Sequence, residues 1–430
     1  MGTSQKYKIF KNLNLIYSAV TVKEGTMQEK EKISKHSYII MLGHLCVDMT
    51  QGSLPALLPF LALQHGLSYT SAAGLLFAGN VVSAVSQPLF GYLGDRVERP
   101  WFMCAGMLLS AIGLTLMGFF DKYILLCFAA LIMGIGTSLF HPEASKLAAV
   151  VAGNRRGVGM SIFAVGGNLG FVVGPLIVAL LMPITGLRGT VFYLIPVVII
   201  ILIVWPYLKA FTALSEKHFK EVNKVENKSE AKDNWKGFTL VSLLLTFKSI
   251  VGFSMNSFVA FYFIDIFMKS KETGSINLAI SAAAGAIATL SGGWIAEKIG
   301  IRRLYIVCFI ALPPLLFLFV LNNSPYVATV LLVLISFASN GAHSVMIVTG
   351  QNFLPRRMGM ASGVLLGLTV SVGGIAAPVI GNIGDNFGLR TAMLVVAFIS
   401  ILIMVISWMI PNEEKLVKAK SGKSYLEEKK

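Results

Sequence analysis

Two apolar stretches carry ionisable side chains at helical spacing. In residues 38–64, His44, Asp48, Gln51 and Pro55 recur at i, i+4, i+7 and i+11, one face of an α-helix. A carboxylate in hydrocarbon is costly, so this face must look into protein or a water-filled cavity, and an ionisable group at that depth points to a functional site. Burial disfavours the charged form. In a cavity whose wetting changes, Asp48 would therefore release and regain a proton, with His44 one turn away as its partner. In residues 123–149, Ser138, His141 and Ser145 share a face beside Pro142 and Glu143. A histidine on this face is a candidate to carry a proton. Glu143 lies about 200° around the helix from His141, so both reach one ligand only if Pro142 distorts the turn; pairing with Lys146 is the alternative. The chemistry these residues suit is proton exchange by Asp48, His44, His141 and Glu143. The competing reading is a set of hydrogen bonds that holds helices together.

Further polar stripes could line the same space. Asn80, Ser83 and Gln87 share a face of 71–94, Lys248, Gly252 and Asn256 one of 237–268, and Ser336, Asn340 and His343 one of 325–350. With Gln51, Ser138 and Asn168 they give an expected substrate cavity of Gln51, Asn80, Gln87, Ser138, Asn168, Lys248, Asn256, Asn340 and His343. Amides also bond across helices in lipid, which is the structural alternative. Lys248, well inside its stretch, would meet an anion or pair with a carboxylate. Tyr262 and Asp265 lie nearer the end of 237–268 and would suit a gate. Gly166, Gly170 and Gly174, followed by Pro175, recur every four residues, a period that lets two helices approach closely. Such a seam would serve sliding between halves or plain packing. A related face runs through Gly363, Gly367, Ser371, Gly374 and Pro378.

The elements that must position these groups are membrane helices. The chain has 430 residues, 55% hydrophobic and 13% charged, against roughly 25% charged in soluble domains. A span needs about 20 mostly apolar residues. Twelve stretches qualify: 38–64, 71–94, 101–120, 123–149, 157–182, 189–208, 237–268, 275–297, 303–321, 325–350, 357–382 and 389–410. The net charge of +15 would suggest nucleic acid, but its distribution excludes that reading. Of the 36 Lys and Arg, only Lys122, Arg188, Lys269, Lys271 and Arg390 fall in loops on one side; Lys146 and Lys248 lie inside spans, and the rest share the other side. This is the positive-inside pattern, with both termini in the cytoplasm. The expected domains are an N-terminal arm (1–37), six spans (38–208), a charged cytoplasmic linker (209–236), six more spans (237–410) and a cytoplasmic tail (411–430). The arm contains no signal-peptide-like run, and Met27 offers a second start. Cys46, Cys104, Cys127 and Cys308 all sit in apolar runs without metal-ligand spacing.

The two sets of six repeat one another. Gly91 and Asp95 match Gly293 and Glu297 at an offset of 202, as His141 matches His343. Arg155-Arg156 matches Arg356-Arg357 at 201, and Gly159-Met160 matches Gly359-Met360 at 200. Parallel six-helix repeats belong to transporters whose substrate site lies between the halves.

The motifs carry a family resemblance. GYLGDRVERP at 91–100 resembles the loop signature of the major facilitator superfamily, although Glu98 stands where Gly is usual. GNLGFVVGP at 167–175 resembles its antiporter Gly-Pro motif, with Val178-Ala179 in place of a terminal glycine pair. GHLCVDMTQGSLPALLPFL, SQPLFGYLGDR, GIGTSLFHPEAS and SIFAVGGNLGFVVGPL together resemble the fosmidomycin-resistance subgroup, over nearly everything after residue 37. The resemblance implies an all-α integral membrane fold of twelve helices in two pseudo-symmetric six-helix bundles. It also implies Gly91, Asp95, Arg96 and Arg99 as a conformational motif together with the Gly166–Pro175 run. Asp95 at a helix end would meet the positive N-terminus of a neighbouring helix, worth about 0.3–1 kcal/mol, and bias the outward-open state. The resemblance further implies a proton-driven antiporter exporting a small organic molecule, with fosmidomycin as the type of cargo. A symporter or facilitator importing an organic anion or sugar is the alternative, and a receptor or membrane enzyme is a third class. No phosphate-binding loop, HExxH or paired CxxC occurs, so neither enzyme chemistry nor a metal or other cofactor is expected. The expected partners are a small-molecule substrate, protons and the lipid bilayer of the cytoplasmic membrane, the chain acting as a monomer.

Overall fold

The computed structural model describes residues 34–96, 99–153, 156–222, 233–354, 357, 360–361, 364–365 and 369–410. The arm to residue 33, the tail, the side chains of Gly91, Asp95 and Arg96, and Arg155, Arg356, Gly359, Gly363 and Gly367 lie outside the described residues. Every regular element among the described residues is helical. In chain order they are α1 (Lys35–His65), α2 (Tyr69–Arg96), α3 (Trp101–Met117), α4 (Tyr123–Val151), α5 (Arg156–Thr185), α6 (Leu194–Val204), α7 (Leu208–Val222), α8 (Trp235–Asp265), α9 (Lys271–Ile299), α10 (Ile301–Leu321), α11 (Pro325–Asn340), α12 (His343–Phe353), α13 (Thr369–Phe387) and α14 (Leu389–Met409).

Nine described stretches are long and apolar enough to cross a membrane, and α2, α3 and α13 occupy the places of the second, third and eleventh expected spans. Large apolar side chains such as Leu180, Ile184 and Leu202 face outward, as lipid contact requires. The helix bounds repeat at the offsets of the motifs. Helices α1 and α8 each have 31 residues, 35–65 and 235–265, while α4 spans 123–151 and α11 with α12 spans 325–353.

Three features go beyond the expected spans. The tenth span is not continuous: α11 ends at Asn340 and α12 begins at His343. A Cβ on Gly292 of α9 would overlap the Gly341 carbonyl, so backbone meets backbone at this break. The sixth span is likewise interrupted by 3-10 turns at Leu187–Tyr193 and Trp205–Tyr207; Pro206 supplies no N–H to a helix ladder. The start of the expected linker is helical, since α7 continues from Leu208 to Val222. Its Phe211 and Ser215 are fully buried and four residues apart on one face. Charge density concealed that period.

Small residues set the closest approaches. Along α5, a Cβ at Gly170 would lie 2.7 Å from the Leu45 carbonyl and the Met49 amide of α1. One at Gly166 would overlap the Met41 carbonyl, and one at Gly174 the Met49 carbonyl. This glycine seam, with Pro175 buried in the same helix, lies between α1 and α5, both in the first six spans; it is not a surface between the halves. The two sets of helices meet instead where α2 packs on α13 and α5 on α9. Replacing Gly170 with Val should overpack the α1–α5 seam by about 1–3 kcal/mol and lower the thermal midpoint in detergent, read by intrinsic fluorescence. Gly252→Val, where a Cβ meets nothing within 4 Å, should leave it unchanged.

Candidate functional site

Helix α1 presents His44 and Asp48 on the face predicted from their spacing, and both are buried, at 8% and 5% exposure. Helix α4 brings His141 to them. His44 Nε2 lies 3.1 Å from Asp48 Oδ2, and His141 Nε2 lies 3.3 Å from Asp48 Oδ1. One carboxylate thus holds two imidazoles, one on each oxygen. The rings of His44 and His141 meet edge-on with centroids 5.2 Å apart, and Phe163 of α5 stacks on His44 at 3.9 Å.

The bonding network fixes the tautomer of His44. Its Nδ1 lies 2.7 Å from the carbonyl oxygen of Phe163, and a carbonyl only accepts, so Nδ1–H is the donor. The Nε2 contact with Asp48 then needs a proton of its own, carried as imidazolium or supplied by the carboxylic acid. Gly167 of α5 completes the enclosure. A Cβ there would lie 2.5 Å from His44 Cε1 and 2.6 Å from Asp48 Oδ2, so only glycine leaves room for the pair. The three donor atoms lie within 4.8 Å of one another, close enough to chelate an ion, and Asp48 Oδ1, 3.3 Å from His141 Nε2, has no hydrogen-bond partner among the described residues.

One turn further along α1, Gln51 enters a cavity of about 550 Å³. Asn80, Asn168, Lys248, Asn256, Asn340 and His343 also line it, so seven of the expected cavity residues converge on one space from α1, α2, α5, α8, α11 and α12. Gln51 Nε2 donates to Asn80 Oδ1 at 3.2 Å. Lys248 Nζ lies 3.4 Å from Asn340 Oδ1, and among the described residues it has no ion-pair partner, which corrects the expected pairing with a carboxylate. Apolar walls from Leu76, Phe171, Phe253 and Leu332 complete the lining.

Other expected residues lie elsewhere. Ser138 is fully buried and its hydroxyl donates to Ile135 O at 2.8 Å; Gln87 Nε2 donates to Ser83 at 3.0 Å. Neither lines the cavity. Glu143, 3% exposed, stands outside both the cavity lining and the His–Asp–His cluster, as its angular separation from His141 requires. Arg99 is exposed, with its guanidinium 5.7 Å from the Phe102 ring centroid. Asp265 accepts from the Tyr69 hydroxyl at 2.7 Å, while Tyr262 is buried and donates to Val320 O at 2.9 Å. Sequence reasoning missed Gly167 and the Phe163 carbonyl. A helix face projected from one segment carries no signal for a backbone group on another.

Comparison with known proteins identifies the architecture. The model of the Major Facilitator Superfamily matches residues 40–378 and 242–427. The fosmidomycin resistance protein of Escherichia coli (strain K12) is 30% identical over 383 residues, 87% of this chain and 93% of that protein. The MFS-type transporter YfnC of Bacillus subtilis (strain 168) is 28% identical over 405 residues, 93% of this chain and 98% of its own length. In fold, the chain is similar to a bacterial homologue of the human lysosomal transporter Spinster in an inward-facing and occupied conformation. The TM-score is 0.71 at 18% identity, covering 88% of this chain and 97% of that one. A helical membrane chain matched to one family model over most of its length leaves no room for another assignment: it belongs to the Major Facilitator Superfamily and is a multi-pass membrane transporter, not an enzyme.

Proposed function

We propose that the chain is a proton-coupled antiporter of the cytoplasmic membrane that exports a small organic anion by alternating access, with both termini in the cytoplasm. The observation that carries this reading is the His44–Asp48–His141 cluster set one helical turn from a polar cavity. A proton resides in that cluster by the logic of its hydrogen bonds, in a place sealed by α5. Removing it leaves a buried carboxylate with one fewer donor. That loss is tolerated only if water or a rearranged helix replaces the bond. Proton release is thereby tied to a change in how α1, α4 and α5 pack, and such a change is what alternating access needs.

The second half supplies the substrate contact. Lys248 stands 200 positions after Asp48, and His343 stands 202 after His141, so the repeat places a cation where the first half has an acid. Surrounded by Asn256, Asn340 and Asn168 in a cavity with apolar walls, its ammonium offers an anionic group a charge-assisted hydrogen bond. Export as the direction draws support from the relatives named for fosmidomycin resistance and multidrug resistance. The uneven distribution of Lys and Arg supports the cytoplasmic placement of the termini.

Two measurements test this. In inverted vesicles, fosmidomycin should be taken up when a pH gradient is imposed. Asp48→Asn should insert and fold normally yet bring gradient-driven uptake and substrate-linked proton flux down to the level of empty vesicles. Undiminished proton flux in that variant sinks the coupling role. Lys248→Gln should weaken fosmidomycin binding about 10- to 100-fold, as expected for losing a hydrogen bond to a charged group worth about 1.5–3 kcal/mol. Equal binding by titration calorimetry would remove Lys248 from the substrate site.

A further inference from the structure

At the end of the bundle where α1 turns into α2, a carboxylate from the second half caps a helix of the first. Asp385, near the C-terminus of α13, accepts from the Tyr69 amide through Oδ1 at 2.7 Å. Its Oδ2 accepts from the Thr70 amide at 3.0 Å and from the Thr70 hydroxyl at 2.5 Å. These are first-turn donors of α2, which no carbonyl of the helix can reach. Ser68, the residue before α2, accepts from the Ser71 amide at 3.2 Å. Part of the cap is therefore local and the rest comes from 315 residues away.

The approach is shaped for this contact. A Cβ on Gly381, one turn before Asp385, would lie 2.9 Å from the backbone of Tyr69 and Thr70, so α13 comes as close as two backbones allow. The Tyr69 hydroxyl reaches a second acid of the second half, Asp265 of α8, at 2.7 Å, and its ring packs edge-on against Phe261 at 5.3 Å. Close by, the Ser275 hydroxyl of α9 lies 3.4 Å from Ala56 O of α1, and Lys271 Nζ lies 4.9 Å from the Phe60 ring centroid.

From this geometry we infer that Asp385 is a positioning residue for transport, a latch that holds this end shut by capping α2 in trans. The inference rests on the alternating-access reading above, in which this end faces outward. The two halves cannot separate here without exposing the first amides of α2 to water and breaking every bond to Asp385. The negative charge, besides accepting hydrogen bonds, meets the positive end of the α2 dipole. Asp95 lies at the opposite end of the same helix, where the sequence assigned it a contact of the same type with the inner side closed. Loss of the outer latch should therefore move the equilibrium toward the outward-open state.

The test is cysteine accessibility, which needs no known substrate. In a Cys127→Ser background, Ser275→Cys is fully buried as long as this end is closed. In intact cells, a membrane-impermeant maleimide should label it about 5- to 30-fold faster in Asp385→Asn and Asp385→Ala, the equivalent of about 1–2 kcal/mol. Tyr69→Phe, which keeps the ring and removes the bond to Asp265, should give a smaller rise in the same direction. Gel filtration and thermal unfolding establish that the variants are folded. Unchanged labelling in both folded Asp385 variants overturns the latch. Faster labelling only in inverted vesicles keeps the latch and overturns the assigned orientation, so the two failures are distinguishable.

Discussion

The interaction on which the arrangement depends is a carboxylate kept inside an apolar helix bundle. Asp48 is tolerated there because both its oxygens have imidazole partners, 3.1 and 3.3 Å away. Each partner comes with structural demands. His44 must spend its Nδ1–H on the Phe163 carbonyl, which fixes α5 against α1. His141 must come from α4 at a depth that matches Asp48. Gly167 must lack a side chain, and the glycines at 166, 170 and 174 carry the same close approach along the whole seam. The packing of α1, α4 and α5 and the satisfaction of one buried charge are therefore a single problem, and a change in protonation is a change in packing.

The two halves solve that problem with opposite charges. Helices α1 and α8 have matching lengths and a register offset of 200, so Lys248 holds the place of Asp48. Without a carboxylate among the described residues, its ammonium leans on Asn340 Oδ1 at 3.4 Å, a long and neutral contact for a buried cation. An unpaired buried charge is costly, and a bound anion would relieve that cost. The break between α11 and α12 lies in the same region: His343 starts α12, and Gly341 sits against Gly292. The repeat thus pairs one acid with one base at matching positions in a symmetric scaffold.

Much of this was legible in the sequence because membrane helices are long, strongly apolar and punctuated by few polar residues. The spacing of His44, Asp48 and Gln51 fixed their common face, and the repeat offset pointed to His343 as the counterpart of His141. What escaped were features decided between segments. The helical break at Gly341-Ala342 has no helix-breaking proline to announce it; a close backbone contact with α9 accompanies it. The α7 helix hid behind a run of Lys and Glu, although Leu208, Phe211 and Ser215 keep a helical period. Glu143 adjoins His141 in sequence but stands outside the His–Asp–His cluster, because adjacency along a helix is separation around it. The paired face of Lys248 was expected to meet an acid; the acids of the second half lie near the ends of its helices, as Asp265 and Asp385 do.

That placement of acids carries a last consequence. A carboxylate in the middle of a span sits where its charge is costly, while one at the end of a span can hold or release a neighbour. Asp385 reaches the first turn of α2 because α13 runs antiparallel to it, with Gly381 against Tyr69 and Thr70 and Gly374 against Phe77. On the proposed alternating-access reading, rocking the halves about the cavity would lengthen the separation at one end of this helix pair as it shortened the other. On the proposed reading, the mid-span cluster would have only to favour one arrangement over the other by the free energy of a proton, and the Asp385 contact with α2 would help set which side of the membrane the cavity meets.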